Sequence, residues 1–529
     1  MENKEESICI IGAGISGLLA CKYVLSKGFS PVVFESSSSI GGVWTKTLGS
    51  TKLQTTKGFF QFSDFPWSPS VDTNFPSSHQ VLNYIRSYAK HFNLYPHIRF
   101  NSEVLSLSYE TLDQKTQTSW TSDGSGELFS SNGTWVVTVQ DTETGSTKII
   151  RFKFVILCVG RFSDEPNVPE FPVGKGPEAF LGNVLHSIDY QNMDDTSASD
   201  FIKGKSVAVV GFQKSALDIA MECSNTNGVY HPCTLLYRTK HWNVPDYLPW
   251  GIPLGFLYLN RFSELLVHKP NEGFLLSLLA TFLSPLRWMF SKLVESHIKN
   301  KLSLSKFGMV PEHSFLNEIH SCLISTVPHR FYNQVEDGSI NLKNALSFGF
   351  CKNGILVGND KQEEEEVVEA DVVILCTGFR GINKLKRIFE STIFQDYIAG
   401  SNDAAVPLYR ECIHPRIPQL AVIGFSESLS NLYTSEMRSR WVAELLLGTF
   451  KLPNVEEMEK DIAAWDIFKK KYSRNYYRRS CIGALHIWYN DQLCKDMGWN
   501  PNRKNGFLAD LFLPYGPLDY TTKGPAPNL

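Results

Sequence analysis

The sequence predicts an α/β protein with two doubly wound units, one inserted into the other, and a helical C-terminal extension. Apolar runs at residues 7–11 and 207–210 each stop at a glycine and lead into helical spacing, which is the strand–turn–helix opening of such a unit. A late apolar run at 420–423 and helical spacing over 433–447 predict one more strand–helix pair. The C-terminal residues beyond this pair are rich in aromatic side chains and predict helices.

Length, charge and cysteine spacing restrict the class of protein. A chain of 529 residues is too long for one core, so two or three domains are expected. The net charge of −3 provides no basic field, and no nucleic-acid partner is predicted. The eleven cysteines include no C-x-x-C pair, which argues against a zinc site or a redox dithiol and favours reduced thiols. No metal site is predicted.

Two segments bear on membrane contact and location. The N-terminus has no basic region followed by an apolar one, so no secretory leader is expected. Residues 274–286 are nearly all apolar but shorter than a bilayer-spanning helix, and Pro285 and Arg287 close the run. A buried or surface-packed helix is therefore favoured over membrane contact. A cytoplasmic location is expected, with peripheral association with the endoplasmic reticulum as the alternative, and the oligomeric state is left open.

A glycine-rich turn with the pattern G-x-G-x-x-G follows the first strand. The glycines allow a tight turn, close approach to a pyrophosphate and close helix–strand packing, and the next helix offers free N–H groups to phosphates. Glu35 ends the second strand, where its carboxylate can bind a ribose hydroxyl. The glycine pair after it lets backbone lie against a flat ring system. The predicted dinucleotide-binding residues are Gly12, Ala13, Gly14, Ile15, Ser16, Gly17, Glu35, Gly42, Val43 and Trp44.

A second turn has the same setting but is degenerate. Gln213 replaces the middle glycine, so its side chain either pushes a pyrophosphate outward or helps to bind it. Lys214 could contact phosphate directly. Arg238 ends the following strand in place of an acidic residue, which suits a 2′-phosphate and favours NADP over NAD, with a surface ion pair as the alternative. The residues predicted for this nucleotide are Gly211, Phe212, Gln213, Lys214, Ser215, Ala216 and Arg238.

Residues 180–190, between the two turns, have the pattern F-x-G-x-x-x-H-x-x-x-Y with His186 at its centre. This pattern resembles the fingerprint of the flavin-containing monooxygenases, and Tyr190 argues against the related Baeyer–Villiger branch. A later T-G-F turn resembles that family's turn at the domain return and adds Thr377 and Gly378 to the predicted cofactor-binding residues. The resemblance covers nearly the whole chain and implies FAD in the first unit and NADPH in the second.

Within the family, the sequence resembles most closely the plant enzymes that N-hydroxylate pipecolic acid in systemic acquired resistance. The likeness is carried by residues 62–67, 211–216, 430–436 and 496–501. One departure is Thr56, which stands where many members have an asparagine beside the flavin. A hydroxyl has one proton to donate, whereas an amide both donates and accepts. Thr56 and His186 are the candidate catalytic residues, although His186 fits a structural role at the domain junction equally well.

The resemblance also implies the reaction and the domain order. The family uses NADPH and O₂, and its chemistry belongs to a C4a-hydroperoxide of the flavin. The implied substrate is a small amine similar to pipecolate. S-oxygenation of thioethers, oxidative decarboxylation of an indole 2-oxo acid and a nucleotide-binding flavoprotein sensor are the alternatives. The predicted Rossmann-like domains are the first part of an FAD-binding domain at 1–175, an NADPH-binding domain at 176–335, and the second part of the FAD-binding domain with the helical extension at 336–529.

Overall fold

A computed structural model describes residues 8–110, 133–162, 165–245, 249–251, 254–358, 365–401, 404–428, 430–476, 481–483 and 485–521. The strands are β1 Ile8–Ile11, β2 Pro31–Phe34, β3 Ile98–Arg99, β4 Ser102–Glu110, β5 Thr134–Asp141, β6 Thr147–Phe152, β7 Phe154–Leu157, β8 Asn183–His186, β9 Val207–Val210, β10 Cys233–Tyr237, β11 Ile340–Asn344, β12 Ser347–Cys351, β13 Gly354–Gly358, β14 Glu366–Glu369, β15 Val372–Leu375, β16 Gly400–Ser401, β17 Ala404–Ala405, β18 Leu420–Val422, β19 Glu427–Ser428 and β20 Cys481–Gly483. The helices are α1 Ile15–Ser26, α2 Ser78–His91, α3 Ser187–Gln191, α4 Asp195–Ile202, α5 Lys214–Asn227, α6 Gly255–Tyr258, α7 Arg261–Leu265, α8 Phe274–Lys301, α9 Phe315–His320, α10 Phe331–Glu336, α11 Gly381–Arg387, α12 Thr392–Ala399, α13 Asn431–Leu447, α14 Val455–Ser473, α15 His486–Asp496 and α16 Phe507–Phe512.

The first unit is built on a parallel sheet of five strands in the order β18-β7-β1-β2-β3. Every residue of β1 and β7 is buried, as expected for a parallel sheet that is covered on both faces. Helices α1 and α13 pack against each other beside this sheet, and nearly all of α13 is buried. The predicted strand–turn–helix opening and the late strand–helix pair are confirmed.

The second unit contains another parallel sheet of five strands, in the order β11-β10-β9-β15-β8. Strand β15 lies between β9 and β8, and β11 extends the sheet beyond β10. The unit therefore runs to Leu375, past the predicted boundary at residue 335, because two of its strands come late in the chain. Two further sheets are antiparallel and have three strands each, β4–β6 and β12–β14.

The C-terminal helices are confirmed, and α15 packs against α13 of the first unit. The polar segment at 194–200 caps and begins helix α4. The helix begins there because the carboxylate of Asp194 accepts hydrogen bonds from the backbone N–H groups of Thr196 and Ser197, at 3.1 and 3.0 Å.

One expectation about the cysteines is wrong. A disulfide joins Cys322 to Cys481, which are 159 residues apart in the sequence. The other nine cysteines take part in no disulfide with a described residue, and most of them are buried. Spacing rules detect cysteines that lie close together in sequence, so a pair brought together only by the fold leaves no such signal.

Helix α8 also differs from its prediction, because it continues through Pro285 to Lys301. The proline leaves the carbonyl of Thr281 without an intrahelical donor, but Thr281 is exposed and solvent can supply one. Among the described residues, α8 is the one helix long and apolar enough to cross a membrane by length and composition. Only 11% of its apolar window is buried inside the protein.

Candidate active site

The carboxyl ends of both parallel sheets open onto one cleft with a volume of about 1810 Å³. Ligands of doubly wound proteins bind at this edge, because the turns that leave the strands meet there. Most of the predicted cofactor-binding residues line the cleft, namely Gly12, Gly14, Ile15, Ser16, Glu35, Gly42, Val43, Trp44, Gly211, Phe212, Gln213, Lys214, Ser215, Ala216, Arg238, Thr377 and Gly378. The other two predicted residues, Ala13 and Gly17, are buried behind it.

Glycine is required at two positions of the first turn. Gly12 has φ +101°, and a Cβ placed on it would lie 2.6 Å from the carbonyl oxygen of Cys158. A Cβ on Gly17 would lie 1.8 Å from the carbonyl oxygen of Gly12. Helix α1 can therefore approach the sheet only with these glycines, and its N-terminal N–H groups face the cleft where a pyrophosphate would bind.

Glu35 is held at the edge of the same turn. One carboxylate oxygen accepts a hydrogen bond from the Ala13 N–H at 2.7 Å, and the other accepts one from the Ser37 N–H at 2.9 Å. A carboxylate oxygen has two lone pairs, so both oxygens can still accept a bond from a ribose hydroxyl. The following loop docks on the turn through a hydrogen bond from the Gly41 N–H to the Ala13 carbonyl at 3.1 Å.

The second turn repeats the backbone geometry of the first. Gly211 has φ +134°, and a Cβ on it would lie 2.6 Å from the carbonyl oxygen of Cys376. The side-chain amide nitrogen of Gln213, Nε2, is buried at this turn and has no hydrogen-bond partner among the described residues. A buried donor without a partner is costly, so this amide fits a group that accepts hydrogen bonds from it, such as a phosphate. Lys214, by contrast, is paired with Asp218 at 2.6 Å.

Arg238 is exposed to the cleft at the end of β10. No carboxylate of the described residues lies within 4 Å of its guanidinium. The alternative of a surface ion pair therefore has no partner within the described part of the chain. A free guanidinium at this position is suited to bind a phosphate with two parallel hydrogen bonds.

His241, His313 and Glu318 form a partly buried cluster that the sequence did not reveal. Glu318 is fully buried. One of its carboxylate oxygens contacts Nδ1 of His241 at 2.8 Å, and the other contacts Nε2 of His313. Burial alone would raise the pKa of Glu318, but the hydrogen bonds from the two imidazoles outweigh burial and lower it. The nitrogen and oxygen atoms of the three side chains lie within 4.8 Å of one another, so the same residues could hold a metal ion.

The fingerprint residue His186 is buried at the end of β8 and is not among the cleft-lining residues. Its Nδ1 accepts a hydrogen bond from the Ile188 N–H at 3.3 Å, which caps helix α3. Burial lowers the pKa of His186, so the ring stays neutral. Its ring packs edge-on against Phe379, with centroids 5.2 Å apart, and so joins α3 to the turn after β15. These contacts are those of a positioning residue.

Thr56 lies beside the main cleft rather than in its wall. It lines a small apolar recess of about 40 Å³. Thr55, Ile319 and Ile324 line both the recess and the cleft, so the two spaces adjoin. The remaining residues of the recess are Phe59, Leu254, Gly255, Tyr258, Leu259 and Phe315. No charged side chain of the described residues lines this recess.

The sequence profile of the flavin-binding monooxygenase-like family matches residues 5–526. The chain belongs to this family. It is 40% identical over 517 residues to the probable flavin-containing monooxygenase 1 of Arabidopsis thaliana, covering 97% of this chain and 96% of the relative. It is 37% identical over 497 residues to the putative flavin-containing monooxygenase 2 of the same plant, covering 93% of this chain and 97% of the relative.

Solved structures of other monooxygenases share the fold. A steroid monooxygenase bound to NADP superposes with a TM-score of 0.63 at 17% identity, covering 93% of this chain and 97% of the other. The S-allyl-L-cysteine S-oxygenase of Allium sativum superposes with a TM-score of 0.57 at 17% identity, covering 93% and 89%. At these identities the likeness concerns the fold alone.

As a flavin monooxygenase, the protein is an NADPH-dependent enzyme with FAD as its second cofactor. When bound, FAD and NADPH supply the oxygen and hydride chemistry, so the chain's own residues bind, orient and shield. The two turns fit these groups, because each brings the N-terminus of a helix to the cleft and the second holds a buried side-chain amide without a partner among the described residues.

Proposed function

We propose that this flavin monooxygenase N-hydroxylates a small secondary amine similar to pipecolate. The observation that carries the proposal is the uncharged recess beside Thr56, which adjoins the nucleotide cleft. The closeness in sequence to plant enzymes of this activity supports it, and a role in systemic acquired resistance would accompany that substrate. In this proposal the first turn and Glu35 hold FAD, and the second turn and Arg238 hold NADPH.

The recess favours an amine in its neutral form. An ammonium group that enters an apolar site without a carboxylate loses solvation and has no partner, so its pKa falls and it gives up its proton. Oxygenation at nitrogen needs the free lone pair that results. The hydroxyls of Thr56 and Tyr258 are polar groups of the recess that could orient the ring, and a substrate carboxylate would remain toward the open cleft.

Oxygenation of a thioether is the second candidate, since an apolar recess also suits a neutral sulfur.

A product assay distinguishes the candidate reactions. Purified protein with FAD and NADPH is offered pipecolate, a thioether amino acid and an indole 2-oxo acid in separate reactions, and products are identified by mass spectrometry. The proposal predicts that pipecolate gains one oxygen atom on nitrogen at the highest kcat/KM. Faster oxidation of the thioether, or loss of CO₂ from the oxo acid as the main reaction, would contradict it.

A matched pair of variants tests the recess itself. A Cβ at Gly255 would lie 2.6 Å from the ring of Phe59, so Gly255→Ala pushes that ring within the recess. A Cβ at Gly516 would lie 3.7 Å from the same ring, which is an ordinary contact, so Gly516→Ala is the control. We expect G255A to raise the KM for the amine severalfold with the KM for NADPH unchanged, and G516A to match the parent. Equal behaviour of the two variants would place the substrate elsewhere.

A further inference from the structure

A segment of the first unit, residues 48–54, reaches across to the second unit, and we name it the bridging segment. It lies between β2 and β3 of the first sheet in the sequence. Leu48 is buried and belongs to the hydrophobic core of the second unit, together with residues of α4 and α5. At the other end, the side-chain carbonyl of Gln54 accepts a hydrogen bond from the Thr326 N–H at 3.0 Å. The bridging segment therefore contacts the second unit at both of its ends.

Two acidic residues of α5 hold the middle of the bridging segment. One oxygen of the Asp218 carboxylate accepts a hydrogen bond from the Thr51 hydroxyl at 2.7 Å. Glu222, one turn further along the helix, accepts a hydrogen bond from the Ser50 hydroxyl. Hydrogen bonds are stronger where solvent is excluded. The bond to Asp218 is partly buried and the bond to Glu222 is exposed, so the bond to Asp218 contributes more to the connection.

The same carboxylate is tied to the second glycine turn. The other oxygen of Asp218 pairs with the ammonium group of Lys214 at 2.6 Å, and Lys214 is the first residue of α5. An ammonium group has three donors, so Lys214 can keep this pair and still bind a phosphate. Asp218 and Thr51 both line the cleft. Asp218 therefore joins the second turn to the bridging segment of the first unit within the wall of the cleft.

A firm connection at this place bears on hydride transfer. In the proposed function the two cofactors are held by different units, so the rate of hydride transfer depends on how firmly the units are fixed to each other. A misplacement of about 1 Å can cost about a hundredfold in rate. The bond between Thr51 and Asp218 lies one helical turn from the second glycine turn, so it fixes the two units to each other close to the nucleotide.

We propose that Asp218 is a positioning residue for flavin reduction, which holds Thr51 and Lys214 at once and so fixes the second unit against the first. This inference rests on the proposed placement of FAD at the first turn and NADPH at the second. Glu222 supports the same connection, because it also accepts a hydrogen bond from the hydroxyl of Tyr190, the last residue of the fingerprint pattern, at 3.2 Å. Loss of the bond to Thr51 should slow hydride transfer without weakening the binding of NADPH.

The variant Thr51→Val tests this role, because it removes the hydroxyl that reaches Asp218 and keeps the shape of the side chain. Mixing the FAD-loaded protein with increasing NADPH in the absence of oxygen gives the limiting rate of flavin reduction and the NADPH concentration at half that rate. We expect the limiting rate to fall about tenfold or more, with the half-saturating concentration unchanged. Thr51→Ser restores a hydroxyl and should recover most of the rate.

A second measurement needs no turnover. Calorimetry gives the affinity of the oxidised, FAD-loaded protein for NADP⁺, and the change that NADP⁺ causes in the flavin absorption spectrum reports a nicotinamide ring beside the flavin. T51V should bind NADP⁺ with parental affinity and show a smaller spectral change. The control Thr449→Val removes a hydroxyl that donates to the carboxylate of Glu444 at the same distance of 2.7 Å, within the first unit. It should match the parent in rate, affinity and spectrum.

Flavin content and thermal unfolding establish that each variant is folded. If T51V were not, Glu222→Gln provides a second test, because it keeps the shape of the side chain, weakens the bond from Ser50 and should also lower the limiting rate. A parental limiting rate in folded T51V overturns the inference, as does a slower reduction that more NADPH fully restores. Both results leave the proposed function intact, whereas a parent protein whose bound flavin NADPH does not reduce would overturn the proposed function as well.

Discussion

Replacing the first glycine of each turn with alanine should weaken the binding of one cofactor and leave the other bound. A Cβ on Gly12 or Gly211 would lie 2.6 Å from a backbone carbonyl oxygen, and both residues have positive φ. The positive φ costs an alanine about 1–2 kcal/mol, and overlap in a packed region costs about 1–3 kcal/mol more. Each substitution therefore strains its own turn by about 2–5 kcal/mol. A loss of this size would lower the affinity of that turn for its cofactor about 25-fold or more.

The assay measures flavin content and anaerobic flavin reduction for each variant. We expect Gly12→Ala to be purified with little FAD, and Gly211→Ala to keep its FAD but to need at least about 25-fold more NADPH for the same reduction rate. Gly28→Ala is the control, since Gly28 has φ +84° but no atom within 4 Å of its Cβ. A G12A protein with parental FAD affinity, or a G211A protein that loses flavin and keeps its NADPH dependence, would contradict this prediction.

Three further predictions concern Arg238, His486 and a buried ion pair. Arg238→Ala should raise the KM for NADPH about ten- to a hundredfold and leave that for NADH nearly unchanged, because one charge-assisted bond to the 2′-phosphate is lost; equal losses for both cofactors would exclude this role. Burial lowers the pKa of His486 to about 3, so the unfolded state binds the extra proton and stability falls as pH drops from about 6.5 toward 3. Between pH 8 and pH 5, the free energy of unfolding measured in urea should fall by about 2 kcal/mol less for His486→Leu than for the parent. Parallel plots of this free energy against pH for the two proteins would contradict this. Lys469 and Glu411 pair at 2.7 Å in the interior, so Lys469→Met should destabilise the fold by about 3–5 kcal/mol, and adding Glu411→Leu should recover much of the loss; a destabilisation that the second substitution leaves unchanged would argue against the pair.

The sequence was sufficient for the parts of the fold that depend on local pattern. Strands β1 and β9 are unbroken apolar runs that end at a glycine, and such runs occur where a parallel strand is buried on both faces. Glu35 could be placed because it ends the next strand at a fixed distance along the chain. Arg238 could be placed by the same argument in the second unit.

Long-range contacts were not predictable in this way. The end of the second unit was misplaced because β11 and β15 join a sheet whose other strands come much earlier in the chain. The disulfide of Cys322 and Cys481 depends on the same kind of distant contact. The cluster around Glu318 gave no signal, since His241 lies 77 residues before Glu318 in the sequence and only His313 is a near neighbour.

Helix α8 shows a limit of local rules. Pro285 and Arg287 were taken to end the apolar run, but the helix continues because an exposed carbonyl can be satisfied by solvent. Composition also could not tell a buried apolar helix from an outward-facing one. That difference depends on which side of the helix meets α7 and α9, and only the folded chain determines it.

We propose that one glycine turn holds FAD while the other presents NADPH to it across the shared cleft. The most direct measurement mixes the FAD-loaded protein with NADPH or NADH in the absence of oxygen and follows the absorption band of oxidised flavin. Rapid bleaching by NADPH, at concentrations well below those needed for NADH, is the predicted result. A protein that cannot be loaded with FAD, or a bound flavin that stays oxidised in excess NADPH, would contradict it.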